Sequence, residues 1–146
     1  NLTARENLKF YGRIYGLAGL DERVQAALEE VGLRERGSDL VRTYSRGMVQ
    51  RLAIARTILH DPDILLLDEP YTGLDQHAAI TLTRILGRLH TGNRSIVMTT
   101  HNIQQGLELC NTVAIQVRGR IVFRSSVESI DKNDFEELYF RSVEGN

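Results

Sequence analysis

The chain has 146 residues, of which 42% are hydrophobic and 25% are charged, and its formal net charge at pH 7 is −1. This composition is ordinary for a soluble globular protein, and the near-neutral charge argues against a nucleic-acid-binding surface. The single cysteine, Cys110, excludes an intrachain disulfide, and no apolar run is long enough to span a membrane. Because the chain starts at Asn1 rather than methionine, we expect it to be a piece of a longer protein.

Two amphipathic helices are predicted at the start of the chain. Thr3 and Glu6 have the spacing of a capping box, and apolar residues follow at helical intervals. Glycines interrupt this first helix, after which Asp21 is expected to cap a second helix that ends at Gly32.

The segment from Gly32 to Asp39 has the glycine spacing of a phosphate-binding P-loop but lacks its chemistry. Ser38 and Asp39 stand where a P-loop has the lysine and the Ser/Thr that bind phosphates and Mg²⁺. The segment also follows a predicted helix rather than a strand. We therefore interpret it as a connector, and the P-loop pattern occurs nowhere else in the chain.

A third helix is predicted to begin after Ser45, whose side chain suits the N-cap position. The start of such a helix has unpaired amides and a positive dipole end, which together favour phosphate binding. Gly47 has no side chain, so the backbone there can approach a phosphate closely. The alternative interpretation is an ordinary capped helix with Arg46 and Arg51 in solvent.

A short apolar run, Ile64 to Leu67, leads directly into Asp68 and Glu69. The run predicts a strand that is buried on both faces. Because buried charges are costly, the two carboxylates should emerge at the carboxyl end of this strand, where α/β sheets bind ligands. Neighbouring strand residues point to opposite sides, so the two acids need not share a role. A solvated acidic turn after the strand is the alternative.

The next segments predict a helix and a second strand. Asp75 can cap a fourth helix, and Ser95 to Thr99 predicts a strand that leads to His101. If the two strands are parallel neighbours, His101 lies at the same edge of the sheet as the two acids. Taken alone, a histidine at this position is more often structural.

Two turn signals organise the rest of the chain. Gly92 and Asn93 are expected to end the fourth helix. Arg118-Gly119-Arg120 predicts the turn of a β-hairpin that closes the sheet, and one more helix is predicted after the hairpin.

Four blocks carry a resemblance to a known family. In order and spacing, Tyr44–Leu52, Ile64–Glu69, Thr72–Asp75 and Ile96–His101 resemble the signature motif, Walker B motif, D-loop and switch histidine of an ABC-type ATPase. Each block alone is moderately specific, but four in series by chance are very improbable. The signature departs from the commonest pattern, and its form Tyr-Ser-Arg-Gly-Met resembles a variant among bacterial exporters, including the haem exporters of cytochrome c maturation.

This resemblance implies an α/β fold, namely the C-terminal part of a P-loop NTPase (RecA-like) core with an inserted ABC helical subdomain. Residues 1–60 would form the helical subdomain with the signature helix. Residues 61–146 would form the C-terminal part of the ATPase core. The Walker A loop, the Q-loop glutamine and the base-stacking aromatic of the family would lie upstream of Asn1.

The resemblance also implies the chemistry, with ATP and Mg²⁺ as cofactors. Asp68 corresponds to the family's Mg²⁺-binding aspartate, Glu69 to its general base, and His101 to the histidine that contacts the γ-phosphate or the attacking water. The residues implied to meet the ATP of the opposite subunit, or the dimer interface, are Ser45, Gly47 and Asp75.

The implied partners are a second nucleotide-binding subunit, as in a homodimer, and a transmembrane permease. The implied location is cytoplasmic, on the inner face of the cell membrane. The parent protein would be an ATPase that drives export, whereas this piece alone would be inactive. A non-transport ABC-type ATPase, ribosome-associated or regulatory, is the alternative. A binding module without catalysis is disfavoured because Glu69 and His101 are both present.

Overall fold

The computed structural model describes residues 1–90 and 94–144. Within these ranges, three helices are followed by a segment in which helices and strands alternate, and then by a β-hairpin and a last helix. The helices are α1 (Ala4–Ile14), α2 (Leu20–Glu30), α3 (Arg46–Ile58), α4 (Gln76–His90), α5 (Ile103–Leu109) and α6 (Lys132–Glu144). The strands are β1 (Ile64–Asp68), β2 (Ser95–Thr99), β3 (Thr112–Val117) and β4 (Arg120–Ser126). The expected stop of α4 at Gly92 and Asn93 lies outside the described residues.

The chain divides into two compact units, a first unit of Asn1–Thr99 and a second unit of Thr100–Asn146. The family resemblance implies a different division of the chain, by subdomain of the family fold, into a helical subdomain (1–60) and a part of the ATPase core (61–146). They stay predictions.

The start of α1 confirms the predicted capping box. The Thr3 hydroxyl accepts a hydrogen bond from the Glu6 amide at 3.2 Å, and the Thr3 amide donates to Glu6 Oε2 at 2.7 Å. The hydrogen bonds that the Thr3 amide and then the Thr3 hydroxyl (3.0 Å) donate to Glu6 Oε2 hold the pKa of the Glu6 carboxyl below its usual range. The first helix therefore begins where the local pattern indicates.

The expectation that Asp21 caps α2 is wrong. Gly19 occupies the N-cap in the left-handed conformation (φ +62), and the helix starts at Leu20. Asp21 lies in the first helical turn, where its Oδ1 pairs with Lys9 Nζ at 2.5 Å. A glycine can take this left-handed conformation without steric cost, so the helix begins one residue before Asp21. The predicted stop at Gly32 is confirmed by its φ of +65, directly after the C-cap Val31.

A two-stranded parallel sheet, β1 beside β2, belongs to the first unit. Leu65 is completely buried, in the same hydrophobic cluster as the apolar side of α4. On the other face, Ile64, Leu66 and Val97 are 59%, 74% and 54% exposed. The expectation that β1 is buried on both faces is therefore wrong, because among the residues that the structure describes the second face of the strand is left uncovered.

The second unit contains the predicted hairpin. Arg118 and Gly119 both have positive φ (48° and 79°), as the tight turn between β3 and β4 requires. The expectation that this hairpin closes the first sheet is wrong, since among the described residues β3 and β4 form a sheet of their own. A turn signal predicts a local hairpin but does not specify which strand pairs with its outer edge.

Cys110 is half-buried at the end of α5, and this burial raises the pKa of its thiol. Across the described residues, no helix combines the length and the apolar character that a membrane crossing requires.

Candidate functional site

The two acids emerge at the carboxyl end of β1, as expected, and both are bound to Thr99 of β2. Asp68 and Thr99 are partners in the parallel register. The Thr99 hydroxyl donates to Asp68 Oδ1 at 2.5 Å. The Glu69 amide donates to the carbonyl and hydroxyl oxygens of Thr99, both at 3.2 Å. One threonine thereby orients the side chain of the first acid and the backbone of the second.

Glu69 has an uncommon backbone conformation, with φ at +45°. A residue with a Cβ in this left-handed region costs about 1–3 kcal/mol, and surrounding contacts must hold it there. Its amide is held by Thr99, and its carbonyl accepts the Thr72 amide at 3.1 Å. The resulting bend brings the Glu69 carboxylate to the Thr72 hydroxyl, which donates to Oε2 at 3.2 Å. The carboxylates of the two acids therefore accept hydrogen bonds from different hydroxyl groups, that of Thr99 for Asp68 and that of Thr72 for Glu69.

The Thr72–Asp75 turn connects the acids to α4. Gly73 lies in its middle with φ +72, and the Leu74 amide donates to the Tyr71 carbonyl at 3.1 Å. Asp75 Oδ1 accepts the Ala78 amide at 2.8 Å, which confirms the predicted cap of α4. The turn is thus fixed to the helix that follows it.

The start of α3 also matches its prediction. Ser45 Oγ accepts the Met48 amide at 3.3 Å, so Ser45 is the N-cap. The amides of the first two helical residues, Arg46 and Gly47, have no acceptor within the helix, and they lie at its positive end. This geometry can bind an anion.

Gly47 has a second role that the sequence did not indicate. A Cβ on Gly47 would lie 2.8 Å from the Cβ of Ala78, closer than such atoms approach in proteins. The glycine therefore allows the start of α3 to pack directly against the first turn of α4.

The signature residues that depart from the commonest pattern, Tyr44, Arg46 and Met48, each make defined contacts in the structure. The Tyr44 side chain is buried, and its hydroxyl donates to the Arg36 carbonyl at 2.7 Å. Burial raises the pKa of this phenol. Met48 packs against the hydrophobic cluster of the first unit. The Arg46 guanidinium lies against Gly73, since a Cβ there would be 2.2 Å from Arg46 Cζ.

Arg51 is not an ordinary solvated residue either. Its Nη1 donates to the carbonyls of Val31 and Gly32, at 3.1 and 3.2 Å, where α2 ends. The alternative interpretation of α3 as a helix with both arginines in solvent is therefore wrong for Arg51. This arginine ties α3 to the end of α2.

His101 is exposed and lies two residues beyond the end of β2, in the second unit. The condition for its approach to the acids, that β1 and β2 are parallel neighbours, is met. The predicted approach of His101 to the two acids stays a prediction.

The environment of Asp68 fits a magnesium ligand. The carboxylate is exposed and lies beside the Thr99 hydroxyl, so both groups present oxygen atoms. Magnesium prefers oxygen ligands and is commonly bound by one or two carboxylates together with substrate phosphates.

Comparison with known proteins identifies the class. Residues 1–72 match the family model described as ABC transporter. A solved structure described as the ATP binding subunit of an ABC transporter aligns with a TM-score of 0.77 and 26% identity. The alignment covers 97% of this chain and 62% of that one. The chain belongs to the ABC transporter ATP-binding family, and its fold is the α/β fold of that P-loop NTPase class.

Several curated relatives are transport proteins. ABC transporter ATP-binding protein NatA of Bacillus subtilis is 33% identical over 138 residues, which are 93% of this chain and 56% of NatA. A fluoroquinolones export ATP-binding protein of Mycobacterium tuberculosis is 42% identical over 83% of this chain and 40% of its own length. Nod factor export ATP-binding protein I of Cupriavidus pinatubonensis is 39% identical over 79% of this chain and 36% of its own length. The chain thus spans about half or less of these relatives.

Proposed function

We propose that the chain is part of the ATP-binding subunit of an ABC transporter, and that the whole protein couples ATP hydrolysis to export through a membrane permease. The observation that carries this proposal is the pair of acids at the end of β1, each held by a different hydroxyl group. Membership of the family and the export functions in the names of several relatives support it. These names also disfavour the alternative of a non-transport ATPase. The likeness to haem exporters stays a prediction.

Glu69 is the proposed general base. Its carboxylate is partly exposed, so a water molecule can reach it, and the bent backbone and the Thr72 hydroxyl fix its direction. General-base catalysis by a positioned carboxylate typically contributes about 10²–10⁴-fold to the rate. The proposal for His101 is a contact with the γ-phosphate or with the attacking water.

Asp68 is the residue that would hold Mg²⁺. When bound, the ion would neutralise charge on the phosphate oxygens. The Thr99 hydroxyl occupies one oxygen of the carboxylate, Oδ1, and so sets the orientation in which Asp68 meets the cation.

Two subunits would form composite sites. Ser45 and Gly47 would bind the ATP of the opposite subunit through the free amides at the start of α3, and Asp75 would lie at the dimer interface. The proposed partners are a second copy or a paired nucleotide-binding subunit, and a permease. The proposed location is the cytoplasmic face of the cell membrane.

The proposal is tested by Glu69→Gln in the full-length protein. This substitution keeps the size of the side chain but removes its ability to accept a proton. We expect ATP binding to persist, hydrolysis to fall about 10²–10⁴-fold, and ATP-bound dimers to accumulate in size-exclusion chromatography.

The matched control is Glu22→Gln on α2, an exposed acid outside the proposed site. Its ATP hydrolysis should equal that of the wild type. Unchanged hydrolysis in Glu69→Gln would remove Glu69 from its proposed role.

A further inference from the structure

The guanidinium group of Arg46 lies flat against the bare Cα of Gly73. A Cβ on Gly73 would be 2.2 Å from both Cζ and Nη1 of Arg46 and 2.7 Å from Nη2. We propose that Arg46 is a positioning residue that acts through this contact and holds the Thr72–Asp75 turn in place. The expected effect on ATP turnover rests on the proposed function. The contact between Arg46 and Gly73 does not depend on that function.

The contact depends on packing rather than on a charge pair. Within residues 1–90 and 94–144, no hydrogen bond or ion pair holds the Arg46 guanidinium. Arginine differs from lysine in having a planar head group that can stack on a flat surface. A glycine Cα in a tight turn offers such a surface because no side chain covers it.

Glycine suits position 73 for two separate reasons. Its φ of +72 is a conformation that residues with a Cβ rarely adopt, and its missing side chain leaves room for Arg46. Asparagine tolerates positive φ better than most residues but still has a Cβ. A Gly73→Asn substitution thus removes the room for Arg46 while preserving most of the freedom of the backbone.

The turn held by Arg46 lies between the acids at the end of β1 and the start of α4. On one side of Gly73, the Thr72 hydroxyl donates to the Glu69 carboxylate. On the other side, Asp75 caps α4, whose Ala78 packs against Gly47. Arg46 itself directly follows the N-cap of α3. Arg46 thereby links the start of the signature helix to the turn that contains Thr72, the hydrogen-bond partner of the proposed base Glu69.

The first arm of the test needs no nucleotide. Amide hydrogen exchange is measured in the full-length protein for the Leu74 amide, which donates to the Tyr71 carbonyl across the turn. Arg46→Ala should raise its exchange rate about three- to thirty-fold, because the turn opens more often without the guanidinium. The control Arg42→Ala, which removes another exposed arginine just before the signature, should leave the rate unchanged.

The second arm measures ATP hydrolysis in the full-length protein. Arg46→Ala and Gly73→Asn should each lower kcat about three- to thirty-fold with KM for ATP unchanged, and the double variant should be no slower than either single one. Arg46→Lys should not restore kcat, because a point charge cannot replace the planar contact.

Three results would overturn the inference. Unchanged Leu74 exchange in Arg46→Ala would show that the guanidinium does not hold the turn. Additive losses of kcat in the double variant would show that Arg46 does not act through Gly73. Wild-type kcat in Arg46→Lys would indicate a role for the charge, as in direct contact with a phosphate. If the protein proves not to hydrolyse ATP through Glu69, the exchange arm still decides whether the contact exists.

Discussion

The Thr99 hydroxyl group accepts one hydrogen bond and donates another. The oxygen accepts a hydrogen bond from the Glu69 amide while its proton is donated to Asp68. Hydrogen bonds connected in this way polarise one another. A single residue of β2 thus controls the orientation of both acids, although nothing in its sequence context distinguishes it from the neighbouring Thr100.

Thr99→Val tests this control, because valine has nearly the same shape but no hydroxyl. The Glu69 amide keeps its hydrogen bond to the carbonyl of residue 99, so the substitution mainly removes the hydrogen bond to the Asp68 carboxylate. A hydrogen bond to a charged group contributes about 1.5–3 kcal/mol, and exposure of Asp68 to water reduces this figure. We expect ATP hydrolysis in the full-length protein to fall about tenfold and to need more Mg²⁺ for half-maximal rate.

Thr99→Ser is the matched control for this prediction, since it retains the hydroxyl and removes only a methyl group. Its Mg²⁺ dependence should match that of the wild type. If the Val and Ser variants titrate alike with Mg²⁺, the hydroxyl does not orient Asp68.

At the scale of the elements, the sequence predicted best those features that depend on nearby residues. The caps by Thr3, Ser45 and Asp75 are all confirmed, because each cap joins residues three apart along the chain. The prediction for Asp21 failed for a local reason, since a glycine in a left-handed conformation can also begin a helix.

Features that join distant segments were not predictable in the same way. The contact of Arg46 with Gly73 and the bonds of Thr99 to both acids depend on strand register and on helix packing. The burial of β1 depends on which elements cover each face of the sheet. An apolar run therefore predicts a strand correctly but overstates its burial, as Leu66 shows.

The two faces of β1 provide a matched pair of substitutions. Leu65 is completely buried, whereas its neighbour Leu66 is 74% exposed. Leu65→Ala in this chain should lower the free energy of unfolding by about 2–5 kcal/mol through lost burial and a cavity. Leu66→Ala should change it by less than about 0.5 kcal/mol.

Urea denaturation of the two variants at several protein concentrations measures both values. A loss for Leu66→Ala as large as that for Leu65→Ala would show that the second face is covered in solution. Dependence of that loss on concentration would identify association of two copies as the cause.

At the scale of the whole molecule, the first unit contains the start of the signature helix and both acids. Between them, the contacts run through Arg46, Gly73 and Thr72. In the proposed assembly, Ser45 acts on the ATP of the opposite subunit, whereas Glu69 acts on the ATP of its own. Such an arrangement makes a definite prediction for dimers that contain two different variants.

That prediction concerns a mixture of full-length Ser45→Ala and Glu69→Gln proteins, each of which should be slow alone. If Ser45 acts in trans, a mixed dimer has one intact site, formed by the intact Glu69 of one subunit and the intact Ser45 of the other. Its second site contains both substitutions. With half of the dimers mixed, the mixture should recover roughly a quarter of wild-type hydrolysis. If Ser45 acts in cis, every site carries one defect.

A second mixture shows what one intact site can do. Dimers of wild-type and Glu69→Gln subunits retain one intact site under either arrangement, so their rate calibrates the activity of a half-competent dimer. Recovery in the first mixture to the level set by this calibration supports action in trans. A rate no higher than the mean of the two variants measured separately, while the calibration mixture exceeds the roughly one quarter of wild-type rate that its own wild-type dimers supply, would place Ser45 in the same site as the Glu69 of its own subunit.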